Sequence, residues 1–85
     1  MKAEFTNRAL KDFKSLDKVT QKQIIKKLCF YLDAPDPLSF AKRLTDPKDG
    51  DYRFRIGTYR VVFDVEASVA KILRVQHRKD VYRQK

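Results

Sequence analysis

The sequence predicts an α+β domain with elements in the order β-α-α-β-β-β. An antiparallel helical hairpin covers one face of a mostly antiparallel sheet, and a short C-terminal tail follows. Three observations carry that expectation. Residues 51–66 alternate apolar and polar side chains around a single glycine turn. Two earlier stretches place apolar residues at the three-and-four spacing of a helix face. Between the two patterns lies Ala34-Pro35-Asp36-Pro37, where proline forbids further helix. At 85 residues the chain suits one domain spanning 1–85.

Lys2 to Phe5 reads as a short strand. Thr6 then offers an N-cap for a helix through about Leu16, with Ala9, Leu10, Phe13 and Leu16 on its apolar face. Asp17 breaks that helix and caps the next, with Thr20 and Gln23 as an alternative capping box. The second helix runs from about Lys18 to Leu32. Ile24, Ile25, Leu28, Tyr31 and Leu32 form its inner face, and Cys29 packs near that side. Lys22, Lys26 and Lys27 line its outside, as a solvated face or as contacts to RNA. Phe40 to Leu44 reads as extended, and residues 45–50 form a turn cluster.

The hairpin from Asp51 to Glu66 is the most informative stretch. Gly57-Thr58 fits a two-residue type II′ loop, which wants glycine first. Pairing outward from that loop sets Ile56 opposite Tyr59, Phe54 opposite Val61 and Tyr52 opposite Phe63, all on one apolar face. On the other face Arg55 falls opposite Arg60, and Arg53 opposite Val62. Like charges directly opposite each other destabilise a sheet. Three arginines there read either as a solvated basic face or as an anion site, with phosphate the natural anion for guanidinium forks. Tyr52 and Tyr59 read as aromatics at the edge of the core.

Val69 to Arg78 reads as a third strand, and its register is ambiguous. A two-residue loop at Ala67-Ser68 would bury Arg74 and Arg78. A three-residue loop puts Ile72, Arg74, Gln76 and Arg78 beside Arg53, Arg55 and Arg60, and Leu73 and Val75 in the core. Burying unpaired arginines is the costlier choice, so the three-residue loop is expected. Alternation then sets His77 on the core side.

Twenty Lys and Arg against 11 Asp and Glu leave a net charge of +9, which favours a polyanionic partner. With 42% hydrophobic residues the chain is a folding domain and not a basic tail. No apolar run approaches the roughly 18 residues of a membrane span, and Met-Lys-Ala-Glu-Phe lacks the apolar stretch of a signal peptide. One cysteine and one histidine leave no internal disulfide and no His-rich metal site. A cytoplasmic protein without metal or cofactor is expected.

Three segments of this chain resemble the RelE/ParE superfamily of toxins from bacterial type II toxin–antitoxin modules. They are Phe5-Thr-Asn-Arg-Ala-Leu-Lys-Asp-Phe-Lys-Ser-Leu, Tyr52-Arg-Phe-Arg-Ile-Gly-Thr-Tyr-Arg-Val-Val-Phe and Val75-Gln-His-Arg-Lys-Asp-Val-Tyr. The last is similar to the RelE-like branch, whose members cleave messenger RNA in the ribosomal A site. The resemblance implies a RelE-like fold and an endoribonuclease acting by 2′-hydroxyl attack on the scissile phosphate. It assigns catalytic positions to Arg53, Arg55, Arg60, Arg78 and Tyr82. Relatives carry a lysine, a candidate base, where this chain has Arg55. Arginine stays protonated and is a poor base.

Such a cleavage needs a base, a stabiliser of phosphorane charge and an acid for the leaving oxygen. Arg53, Arg55 and Arg60 suit the stabilising role. Arg78 suits the leaving oxygen, and Tyr82 suits stacking on a splayed base. His77 is a candidate acid or base, or else a strand cap. Arg74 joins Lys22, Lys26 and Lys27 as a candidate RNA contact. The implied partners are a cognate antitoxin, in a heterotetramer, and the ribosome with its mRNA, with no membrane. The alternatives are a ParE-like gyrase inhibitor without nuclease chemistry, or an attenuated RNA-binding homologue.

Overall fold

The computed structural model describes residues 1–79; Tyr82 lies outside them. Strand β1 (Lys2–Phe5) leads into α1 (Asn7–Lys14) and α2 (Lys18–Asp33). A 3-10 turn over Pro37–Phe40 follows, then the two-residue strand β2 (Lys42–Arg43). The strands β3 (Tyr52–Ile56), β4 (Tyr59–Glu66) and β5 (Val69–His77) complete a five-stranded sheet of order β1-β5-β4-β3-β2. All neighbours are antiparallel except β1, which lies parallel to β5 at one edge.

The helices begin where their caps dictate. The Thr6 hydroxyl accepts from the Ala9 amide at 3.1 Å and donates to the Leu73 carbonyl, so one side chain starts α1 and pins it to β5. Asp17 accepts from the Thr20 amide and hydroxyl, and α2 starts at Lys18 rather than after Thr20. The Thr20 hydroxyl first, then its amide, lowers the Asp17 carboxyl below its ordinary pKa. Gln21 reaches back to the carbonyls of Phe13 and Leu16 at 3.0 Å and closes the end of α1.

Both helices cover one face of the sheet. Ala9, Ile24, Leu28 and Leu32 meet Phe54, Ile56, Val61, Phe63, Ala70, Ile72 and Val75 in a single buried cluster. Its spine is aromatic: Phe40 stacks on Tyr31 at 4.8 Å, Tyr31 meets Phe54 at 5.0 Å, and Phe54 stacks on Phe63 at 4.5 Å. Three residues expected inside or near it lie outside. Ile25 is 40% exposed, Leu10 is similarly open, and Cys29 is exposed. Ile24, Leu28 and Leu32, with Tyr31 beside them, make the contact of α2 with the sheet.

The β3–β4 pairing is the one read from the sequence, including Arg55 opposite Arg60. Gly57 carries φ +60 at the first loop position, as a type II′ turn requires. The third strand differs. Its turn is the two-residue Ala67–Ser68, with Glu66 opposite Val69. Both turn residues hold positive φ, 50 and 63. Arg74 is nevertheless kept out of the core, because a β-bulge intervenes: Phe63 pairs with Ile72, but Val62 pairs with Arg74. The extra residue, Leu73, reverses the alternation. Ile72 is therefore fully buried, and Leu73 lies on the outer face, the reverse of the expected placement.

The outer face is only partly open. The loop carrying a 3-10 turn at Pro47–Asp49 folds back onto it. Gly50 sits so close to β4 that an added Cβ would lie 2.7 Å from Val62 Cγ1, and its φ is +109. The Asp51 amide donates to Asp64 at 2.9 Å. At the opposite edge, β1 pairs with β5 only as far as Ile72. Beyond that point Asp12 of α1 takes over, accepting from the Val75 amide at 3.0 Å and from Arg74 Nε at 2.8 Å.

Replacing Asp12 by Ala removes a charge-assisted pair and orphans a strand amide, and should cost about 2–3 kcal/mol in urea unfolding. Left-handed backbone costs an ordinary residue roughly 1–2 kcal/mol. Exchanging Ala67-Ser68 for Asn-Gly should therefore raise stability by about 1 kcal/mol, read as a higher Tm.

Candidate phosphate-binding cleft

Strand pairing lays the outer-face residues in two rows across the sheet. One runs Lys42, Arg53, Val62, Arg74; the next runs Arg55, Arg60, Gln76. Beyond the end of β5, the Arg78 amide donates to the Thr58 carbonyl at 2.8 Å, which clips Arg78 to the hairpin turn. The result is a cleft of about 440 Å³ lined by Lys42, Arg53, Arg55, Arg60 and Arg78, with the Gly57–Tyr59 turn as its end wall. No carboxylate is among the described lining residues.

Four arginines picked out in the sequence thus come together. The lysine does not belong to that set. Lys42 was hidden because a two-residue strand shows no alternation, and only its pairing with Arg53 brings it to this face. Arg60 stands at the centre. Its Nε is buried with no hydrogen-bond partner among the described residues.

The other candidates go elsewhere. His77 shares a row with Ile56 and Tyr59 on the helix-covered face, edge-on to the Tyr59 ring at 5.1 Å. Its Nδ1 accepts from the Lys79 amide at 3.1 Å, and it does not line the cleft. Arg74 is on the outer face, but its guanidinium is engaged by Asp12. Lys22, Lys26 and Lys27 ride on α2, which packs on the opposite face of the sheet from the arginines. Lys27 lies over the rings of Phe30 and Tyr31. Tyr52 packs on the core beside Phe63, and Tyr59 does so while also edging the cleft.

Chemically, such a cleft can bind phosphate oxygens and stabilise added negative charge. Guanidinium groups match phosphate oxygens in pairs, and an ammonium adds a point charge. The described lining residues include no carboxylate or imidazole to take up a proton.

A helical hairpin on one face of a small mixed sheet, with the basic residues on the other, defines the RelE/ParE class of toxin. Over residues 3–82 the chain matches the family described as the ParE toxin of type II toxin–antitoxin system, parDE. It belongs to that family and is a toxin of a type II toxin–antitoxin system. The fold is similar to the toxin in the RelBE2 toxin–antitoxin complex of Mycobacterium tuberculosis. That match has 27% identity and a TM-score of 0.73, covering 89% of this chain and 95% of that one. The intact RelBE complex of E. coli matches at 28% identity and TM-score 0.69, over 89% and 94% of the two chains. The archaeal RelE–RelB complex of Pyrococcus horikoshii matches at 28% and 0.69, over 91% and 93%. No curated protein sequence matches the chain.

A phosphate contact by Lys42 has a specific signature. Lys42→Ala should weaken binding of short single-stranded oligoribonucleotides by a similar factor for every sequence. It should also reduce the slope of log affinity against log salt by about 0.7, the share of one contact. Fluorescence anisotropy over a range of salt concentrations checks both.

Proposed function

We propose that this toxin is a RelE-type endoribonuclease that cleaves messenger RNA on the ribosome. The observation that carries the reading is the convergence of Lys42, Arg53, Arg55, Arg60 and Arg78 in one cleft, with no carboxylate among its described lining residues. In the proposed reaction the RNA 2′-oxygen bonds to its own 3′-phosphorus as the P–O5′ bond breaks, giving a 2′,3′-cyclic phosphate and a 5′-hydroxyl, with the 2′ proton passing to solvent and a proton from solvent reaching the 5′-oxygen. Arg53, Arg55, Arg60 and Lys42 hold the phosphorane oxygens as charge accumulates, and loss of one such donor costs roughly 10²–10³ in rate. Arg78, clipped to the turn through the Thr58 carbonyl, meets the leaving 5′-oxygen. Arginine is a poor proton acceptor. The rate therefore rests on charge stabilisation and on the ribosome aligning the 2′-oxygen for in-line attack.

A cognate antitoxin would silence the toxin by lying over the sheet or against the helices, in a heterotetramer of two chains of each. An apolar groove between α2 and the hairpin tip, bordered by Ile56 and by Phe30 at 59% exposure, carries Lys26 and Lys27 on its rim. It suits an amphipathic, acidic antitoxin segment.

A second reading, gyrase inhibition without nuclease chemistry, is favoured by the parDE description of the matching family. Induced expression separates the two. For a nuclease, primer extension on a translated message shows codon-phased cuts within minutes. Arg60→Ala and Arg78→Ala each restore growth while antitoxin binding persists. Gyrase-linked DNA breaks with an uncut message would overturn the nuclease reading.

A further inference from the structure

Among the described residues lining the cleft, Lys42, Arg53, Arg55 and Arg60 sit on strands, where ladder hydrogen bonds fix the backbone. Arg78 lies just past the end of β5. A long side chain is aimed only as well as its own backbone, which is set by the two peptide planes flanking its Cα. At Arg78 each plane is tied by a hydrogen bond. The plane before it is held where the Arg78 amide donates to the Thr58 carbonyl at 2.8 Å. The plane after it is held where the Lys79 amide donates to His77 Nδ1 at 3.1 Å. The first tie runs backbone to backbone, so any residue at 78 with an N–H makes it. The second needs an acceptor in the side chain at 77.

His77 supplies that acceptor from the helix-covered side of the sheet. It pairs with Tyr59 of β4 and stands edge-on to that ring, with centroids 5.1 Å apart and planes at 88°. Tyr59 packs against the buried cluster, so the imidazole is oriented by the core. The bond runs from a side-chain acceptor to the amide two residues on. Asn and Asp make the same bond through Oδ1 in an Asx-turn. An imidazole makes it through Nδ1 in the neutral tautomer that carries its proton on Nε2. The ring does not line the cleft, and alternation sets it on the opposite face from Arg60. Its route to a bound phosphate runs through the chain at Arg78.

We propose that His77 is a positioning residue: by accepting from the Lys79 amide it fixes the backbone at Arg78 and directs that guanidinium into the cleft. The role of Arg78 at a leaving oxygen rests on the nuclease reading above; its hold on a phosphate does not. The imidazole serves both as a ring packed on Tyr59 and as an acceptor, and two substitutions separate these. His77→Phe keeps a ring against Tyr59 and removes the acceptor. His77→Asn removes the ring and keeps an oxygen that reaches the Lys79 amide. A positioning role makes Asn the conservative change and Phe the damaging one. A packing role reverses that order, and a proton-transfer role makes both variants equally inactive.

The test uses the purified full-length toxin, ¹³C,¹⁵N-labelled and titrated with inorganic phosphate, with the arginine Nε resonances as the readout. In the wild type the Arg78 resonance should move together with those of Arg55 and Arg60, and the His77 ring nitrogens should show the proton on Nε2. His77→Asn should move all three arginine resonances. His77→Phe should move those of Arg55 and Arg60 and leave that of Arg78 in place. Cleavage of a translated message on purified ribosomes is the second arm. The single-turnover rate should fall by roughly 10–10²-fold in His77→Phe, as when a reacting group is misplaced by about 1 Å, and stay near wild type in His77→Asn. An Arg78 resonance that phosphate leaves unmoved in the wild type overturns the proposal. So does one that moves as freely in His77→Phe, or an Asn variant that behaves like Phe. Equal cutting by wild type and His77→Phe removes the hook and leaves the nuclease standing. The expected resonance shifts in a protein that cuts no message support the hook and remove the nuclease.

Discussion

The constraint on which this molecule depends is the alternation of the β3–β4 hairpin, which ties an aromatic face to a cationic one. On one side Phe54 and Phe63 are fully buried and stacked. On the other, Arg55 is held opposite Arg60, and Lys42 opposite Arg53. Two like charges about 4 Å apart repel by about 1 kcal/mol in water, whereas burying one such phenyl side chain stabilises by about 1.5–3 kcal/mol. The aromatic spine therefore wins, and it holds the cations at separations they would not adopt alone. A bound polyanion relieves that repulsion, so the cleft is preorganised for negative charge by packing on the far side of the sheet.

Much of this was legible in the sequence, for local reasons. Period two with a glycine loop permits one sensible pairing, and five cross-strand pairs of the hairpin follow from it. Caps at Thr6 and Asp17 mark helix starts by side-chain chemistry that operates within three residues. The misplaced features depend on distant partners. Ile72 and Leu73 exchange faces because of a bulge that no glycine announces. The parallel seat of β1 beside β5 is set by residues nearly seventy positions away. Lys42 sits on a strand too short to have a period, and Arg74 looks like a free cation until Asp12 is folded against it. Even the open outer face is partly covered, since Gly50 lets a loop lie flat on Val62.

The charge of +9 is divided by function as well as by position. Lysines dominate the outer side of α2, where strongly hydrated ammonium groups keep a helix surface soluble. Arginines dominate the sheet face, where rigid forks matter. Arg74 shows that a guanidinium on that face can also serve architecture: with Asp12 it seals the strand edge that β1 leaves uncovered.

The hairpin tip has a further consequence. Gly57, Thr58 and Tyr59 border the cationic cleft on one side and the apolar groove against α2 on the other. These three residues form a partition between two rooms. An occupant of the groove would touch the same wall that bounds the cleft, and Arg78 hangs from that partition by its amide. On the proposed function, an RNA in the cleft and an antitoxin in the groove would meet at these three residues without competing for the same atoms.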